Sequence, residues 1–187
     1  MLDDVNRDLE DDNLFLADDS GLVVEEIPRN LTITQEQMAQ RKVMDQRRWF
    51  CLARPQYPKS CGISSLTSCW NYLYSTLGVG KKRPISTEEA LEVLGFKPPY
   101  QGVSFGSFTG NDTLILWFSL LNRYFGVKGE SRIAYKLHGK SKTMGIDSAT
   151  ALENLKRGLK SENKAYIYHC YNHYMCPVGY ESVPTMP

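Results

Sequence analysis

The sequence predicts an α+β fold, and three observations carry that prediction. Helix signals fill the middle of the chain, each with its own start or stop residue. Strand signals gather after residue 130, where β-branched and aromatic residues mix with polar ones. The two kinds do not alternate, so helices come first and strands last, which favours α+β over a doubly wound sheet.

Local chemistry justifies each element in turn. TITQEQMAQRKVMDQR, residues 32–47, starts with a threonine cap and Gln/Glu, and predicts a short helix. Order is expected to begin near Trp49. After Cys61, Ile63, Leu66, Trp70, Leu73 and Leu77 fall three to four apart, and Gly78 supplies a C-terminal stop. Ser86 with Glu89 makes a capping box for a helix to Leu94, closed by Gly95 and barred from continuing by Pro98-Pro99. Asn111 caps DTLILWFSLLNRYF, whose broad apolar face predicts burial and which stops at Gly126. Ser148 caps ATALENLKRGLK. SRIAYKL, residues 131–137, reads as a half-buried strand. KAYIYHC (164–170) and HYMCPVGYESV (173–183), nearly adjacent, read as a β-hairpin with Pro177 on an edge or at a bulge.

Composition bounds the function classes. A chain of 187 residues with 42% apolar and 23% charged residues supports one globular unit with a real core. No run of 18 apolar residues occurs, so no segment reads as a membrane-spanning helix and no membrane partner is expected. The N-terminus MLDDVNRDLEDD is acidic where a secretion signal would be basic and then apolar. Five cysteines, an odd number, favour free thiols in a reducing compartment over a disulfide scaffold. The net charge of +1 hides a division. Residues 1–28 hold ten Asp/Glu against Arg7 alone, leaving 21 Lys/Arg against 11 Asp/Glu in the other 159 residues. The expected organisation is an acidic, mostly disordered leader with its short helix at 1–46, then a single α+β domain at 47–187. The basic body suits an acidic partner or nucleic acid; equally, the leader can simply compensate it.

The stretch YPKSCGISSLTSCWNYLY carries the chemistry. A cysteine attacks as the thiolate, which a helix N-terminus or a nearby imidazolium favours. Cys61 stands at a predicted first turn, and Gly62 removes a side chain beside the sulfur, leaving room for a substrate carbonyl. His173 begins a predicted strand in NHYMCPVGY, where a rigid element would hold an imidazole as general base and then acid. The Cys61 amide and the Gln56 side chain are candidate oxyanion donors. Cysteine at a helix start with histidine at the head of a late strand resembles the papain-like thiol hydrolases, above all their bacteriocin-processing and transglutaminase-like branches. Those families add an Asp or Asn on the next strand to orient the imidazole. Only 14 residues follow His173 and none is Asp or Asn, so the third residue is expected beyond 187 and the domain is expected to be C-terminally truncated. The competing reading is that Cys61 packs as a small apolar residue and His173 bonds the hairpin backbone.

Other clusters favour plain explanations. His169, Cys170, His173 and Cys176 form H-C-x-x-H-x-x-C, but strand neighbours point to opposite faces, which argues against one shared zinc ion. The loop YKLHGKSKTMG is rich in Lys and Gly yet lacks the phosphate-loop pattern and reads as solvated. Tyr166, Tyr168, Tyr171, Tyr174 and Tyr180 suit strands without any need for stacked bases. No cofactor or metal is expected.

RRWFCLARPQYPKSCGISSLTSCWNYLYSTLG, EEALEVLGFKPPY, FGSFTGNDTL, HGKSKT and AYIYHCYNHYMCPVGYE resemble the basic immunoglobulin-like variable motif-containing protein family from about Arg47 onward. The resemblance implies a cytoplasmic and nuclear protein without an established enzymatic activity or cofactor, and a chain longer at its C-terminus. The family name refers to a short motif, and the capped helices argue against an immunoglobulin sandwich.

Overall fold

A computed structural model describes residues 36, 41–54, 56–107, 109–138 and 142–182, all within one unit spanning Thr34–Pro187. Residues 1–35, 37–40 and 183–187, which include most of the expected leader, lie outside the described residues. The chain is α+β. Five helices are described end to end: α1 (Gln46–Phe50), α2 (Cys61–Tyr74), α3 (Thr87–Val93), α4 (Asn111–Phe125) and α5 (Ser148–Leu159). The strands are β1 (Lys42–Met44), β2 (Tyr168–Cys170), β3 (His173–Met175) and β4 (Gly179–Glu181). They pair as two separate two-stranded antiparallel sheets, β1 with β4 and β2 with β3. Nothing in this arrangement is a sandwich or a barrel.

The centre is α2. Every residue from Gly62 to Tyr72 is buried, so the helix has no solvent face. Ile63, Leu66 and Trp70 enter the main core with Leu91 of α3 and Leu114, Trp117, Phe118 and Leu121 of α4. Trp70, Leu91 and Leu121 are 0% exposed, each removal from water stabilising by about 1.5–3 kcal/mol. Trp70 also packs its ring against Tyr74 and Phe125 at 5.3 and 4.8 Å between centroids. The other side of α2 is small and polar, and its hydroxyls turn inward onto the helix itself. Thr67 donates to the Ile63 carbonyl, Ser68 to that of Ser64 and Ser75 to that of Asn71. Asn71 clasps Ile85 with both ends of its amide at 2.9 Å.

The helix ends follow the local code, with small shifts. Ser86 caps α3 by accepting from the Glu89 amide, while the Glu89 carboxylate turns to Arg83. Gly126 closes α4 at φ +64°, a conformation that suits glycine. Asn111 is the first residue of α4, not its cap, and accepts a hydrogen bond from Tyr174. Asp147, one residue before Ser148, caps α5 through the Thr150 amide at 2.7 Å. The first long helix stops at Tyr74, short of Leu77 and Gly78. The chain folds back there, with the Val79 and Lys82 amides bonding the Tyr72 and Tyr74 carbonyls. Gly78 is required by that return: a Cβ would lie 2.1 Å from the Tyr72 carbonyl oxygen.

Strands depart further from expectation. Of the helix expected over 32–47, Glu36 and Arg41 are helical, but Lys42–Met44 become β1 because β4 pairs with them in the register Val43↔Tyr180. Residues 131–137 form no strand; the Lys136 carbonyl and amide bond the Thr143 amide and hydroxyl instead. The 173–183 strand is broken at Cys176–Val178, where Pro177 cannot donate, and β4 leaves for the other sheet. The β2–β3 hairpin turns on Tyr171 and Asn172, both at positive φ.

A buried cation ties β1, α1 and α5 to α2. Arg48, 5% exposed, lies 4.0 Å over the Tyr72 ring and donates to the Ser161 and Leu159 carbonyls. Asp45 caps α1 through the Arg47 amide, accepts from the Tyr72 hydroxyl at 2.9 Å and stands 3.4 Å from Arg48 Nε. Burial pushes the Asp45 carboxyl up, but the Tyr72 hydroxyl, the Arg47 amide and the two guanidinium groups outweigh it and hold it below the ordinary value. A lowered folded-state value makes this stabilisation complete above the unfolded aspartate value of about 3.9 and lost as pH falls through the folded one. Asp45→Asn is expected to cost about 3 kcal/mol at neutral pH by leaving Arg48 without its counter-charge. Urea unfolding at pH 7 and below pH 4 checks this: the gap between wild type and variant narrows in acid. A gap that stays constant contradicts it.

Candidate functional site

The loop into α2 is set by two backbone features. The Ser60 amide bonds the Tyr57 carbonyl, and Lys59 adopts φ +60°, so the chain turns sharply just before the helix. Ser60 is buried and sits at the N-cap without a side-chain cap bond; its hydroxyl lies 3.3 Å from that of Ser64. The first-turn amides therefore lack intrahelical partners and face the helix head. Cys61, half-buried, is the first residue of this 14-residue helix.

Gly62 is buried for a packing reason. A Cβ there would stand 2.4 Å from Thr109 Cγ2, 3.4 Å from Leu114 Cδ2 and 3.5 Å from Tyr174 Cδ2. The space that a side chain at position 62 would need is thus filled by Thr109, by Leu114 of α4 and by Tyr174 of the hairpin, so the glycine there serves packing. Tyr174 is the hairpin residue that docks on the helix head. It is buried, and its hydroxyl donates to Asn111 Oδ1 at 3.1 Å, which ties β3 to the start of α4. Burial pushes the Tyr174 hydroxyl up, and the neighbouring Cys61 adds to the effect.

The hairpin register decides which histidine shares that face. His169 is directly opposite Tyr174, and directly opposed residues of an antiparallel pair lie on one face. Their rings stack with centroids 4.1 Å apart and planes 16° apart. Burial lowers the His169 pKa, favouring the neutral imidazole that a general base requires. His173 opposes Cys170 and is exposed on the other face, since neighbours alternate along a strand. Gln56 is exposed in the loop five residues before Cys61. Among the described residues, no hydrogen bond joins Cys61 to His169, His173 or Gln56. The elements that carry the sequence-predicted residues come together at α2; the three side chains themselves do not form a bonded set. Tyr174 and His169 are the residues that sequence reasoning missed at this place. The available signal was the two-residue turn at Tyr171-Asn172, which fixes the pairing and with it the faces.

The H-C-x-x-H-x-x-C residues are divided. Cys170 and His173 share one face, His169 lies on the other beside Tyr174 and is itself exposed, and Cys176 bonds the Ser65 carbonyl of α2 at 3.3 Å. No group of three or more metal-binding side chains occurs among the described residues. Of the Lys/Gly-rich loop, residues 139–141 lie outside the described residues. Among those described, no helix is long and apolar enough to cross a membrane.

Comparison with known proteins adds a family match. The family model described as basic immunoglobulin-like variable motif-containing protein matches residues 37–187. A protein of that name from Homo sapiens is 55% identical over 169 residues, covering 90% of this chain and 33% of the relative. One from Mus musculus is 58% identical over 150 residues, 80% of this chain and 30% of the relative. One from Giardia intestinalis is 34% identical over 149 residues, 79% of this chain and 52% of the relative. The chain thus spans about a third of the vertebrate relatives it matches. No solved structure matches.

Proposed function

This chain belongs to the basic immunoglobulin-like variable motif-containing family, and on that premise we propose that it is a thiol hydrolase of papain-like type acting on an amide or peptide bond. The observation that carries the reading is Cys61 at the first position of α2, with a hairpin bearing two histidines packed onto the same helix. Cys61 loses its proton to an imidazole of that hairpin, and the sulfur attacks the substrate carbonyl. The oxyanion is held by the Cys61 amide and the Gln56 side chain. As the tetrahedral centre collapses, the carbon–nitrogen bond breaks, the imidazolium protonates the leaving amine, and water later cleaves the thioester. The sequence pattern assigns the imidazole to His173. The face shared with Tyr174 favours His169, reached by the same hairpin.

An activity-based electrophile applied to the full chain tests this. Cys61 labels faster than Cys69, and labelling falls in either His173→Ala or His169→Ala, which names the base. Labelling of Cys61 no faster than Cys69, or indifferent to both histidine variants, overturns the reading.

A second reading is supported by the charge division: a non-catalytic cytoplasmic and nuclear module that binds an acidic partner or nucleic acid through its basic body. Retention on an anionic matrix then weakens steeply with salt. Retention that ignores salt contradicts it.

A further inference from the structure

Cys69 and Cys176 are 107 residues apart in sequence and their sulfurs are 3.9 Å apart. Neither serves the proposed chemistry. Cys69 lies on the polar side of α2, buried, with its thiol 3.4 Å from the Tyr166 carbonyl. Cys176 follows β3 directly, is half-buried, and lies 3.3 Å from the Ser65 carbonyl. Their surroundings are not those of two inert apolar fillers. A cavity of about 10 Å3 lies beside them, lined by Arg48, Ser68, Cys69, Tyr72, Tyr166 and Cys176 among others; that is about the volume that holds one water. Arg48, whose Nε is ion-paired with Asp45 at 3.4 Å, puts a buried positive charge beside the pair.

We infer that Cys69 and Cys176 are a redox-active dithiol that closes to an intramolecular disulfide. The two sulfurs divide the work by environment. When Cys176 gives up its proton, the Cys69 thiol donates to it and Arg48 attracts the resulting charge, which lowers the Cys176 pKa against the cost of burial. Holding that hydrogen bond, and being buried, pushes Cys69 up. Cys176 is therefore the attacking thiolate and Cys69 the resolving thiol. With a peroxide as oxidant, Cys176 sulfur attacks one peroxide oxygen. The sulfur–oxygen bond forms as the oxygen–oxygen bond breaks, and the departing hydroxide takes up the proton that Cys176 released. Cys69 then attacks the sulfenic sulfur, the sulfur–sulfur bond forms, and hydroxide leaves with the Cys69 proton as water. Two electrons pass from two thiols to one peroxide. The closed link fastens the exit of β3 to α2, two residues after Tyr174, and so clamps the hairpin over the helix head.

The test uses the full chain treated with hydrogen peroxide, with acid-quenched alkylation and peptide mapping by mass spectrometry. The expected product is a monomer lighter by two hydrogens, with one peptide pair joining residues 69 and 176, restored by dithiothreitol and melting at a higher temperature than the reduced form. Cys51→Ser and Cys61→Ser retain the link, and Cys176→Ser abolishes it. Because the map is made on wild type, the outcome does not depend on any variant folding. Stepwise oxidation to sulfinic acid without a link, a link from Cys69 to Cys51, or only intermolecular dimers overturns the inference. The result is independent of whether Cys61 is a nucleophile.

Discussion

The structure depends on a helix that has no outside. From Gly62 to Tyr72, α2 is covered on all sides, so each neighbour is positioned by what that helix offers it. On one side it offers bulk, and the aromatic and aliphatic residues of α3 and α4 close over Ile63, Leu66 and Trp70. On the other it offers small polar residues, which let α1 and the exit of β3 approach closely. Serine and threonine are middling helix formers because their hydroxyls compete for backbone bonds. Here the hydroxyls of Thr67, Ser68 and Ser75 return to carbonyls four residues back, so these three buried donors are satisfied on the helix itself. An all-apolar α2 would have bulk where the hairpin needs to dock.

Two kinds of energy hold this arrangement, and they act at different places. Apolar burial dominates on the α3–α4 side: several fully buried side chains at about 1.5–3 kcal/mol each exceed any single polar contact there. On the α1–α5 side a cation takes that role. Arg48 is a buried charge, so its carbonyl acceptors, the Tyr72 ring and Asp45 must all be present together. Surface pairs such as Lys42–Glu181 add little by comparison, being exposed at both ends. The chain therefore tolerates change at its surface ion pairs and resists it at Asp45 and Arg48.

How much of this is legible in the sequence depends on the range of the interaction that decides it. Helix ends are decided within four or five residues, and they read well: Ser86, Gly95 and Gly126 stand where a local reading puts them, and Asn111 and Ser148 miss the cap by one position. Strands are decided by partners far away in sequence. Val43 is extended because Tyr180 pairs with it, and nothing in the local run TITQEQMAQRKVMDQR announces that partner. Residues 131–137 carry strand chemistry but have no partner strand among the described residues, and composition alone cannot supply one. The candidate site divides in the same way. Cys61 at the head of a helix is a local fact. The face of a hairpin histidine is a matter of register, and one residue of alternation exchanges His173 for His169. Tyr174, which governs the contact, looked like one more strand tyrosine until its opposite number was known.

Fold and site both rest on the hairpin lying over the head of α2 through Tyr174. A nuclear Overhauser measurement on the reduced full chain tests that contact directly. The predicted result is strong cross-peaks from the Tyr174 ring to the Gly62 α-protons and a Leu114 methyl, with further peaks from the same ring to the His169 imidazole. A Tyr174 ring that shows only intra-hairpin peaks, and no proximity to Gly62 or Leu114, would contradict the packing and remove the basis for bringing Cys61 and an imidazole together.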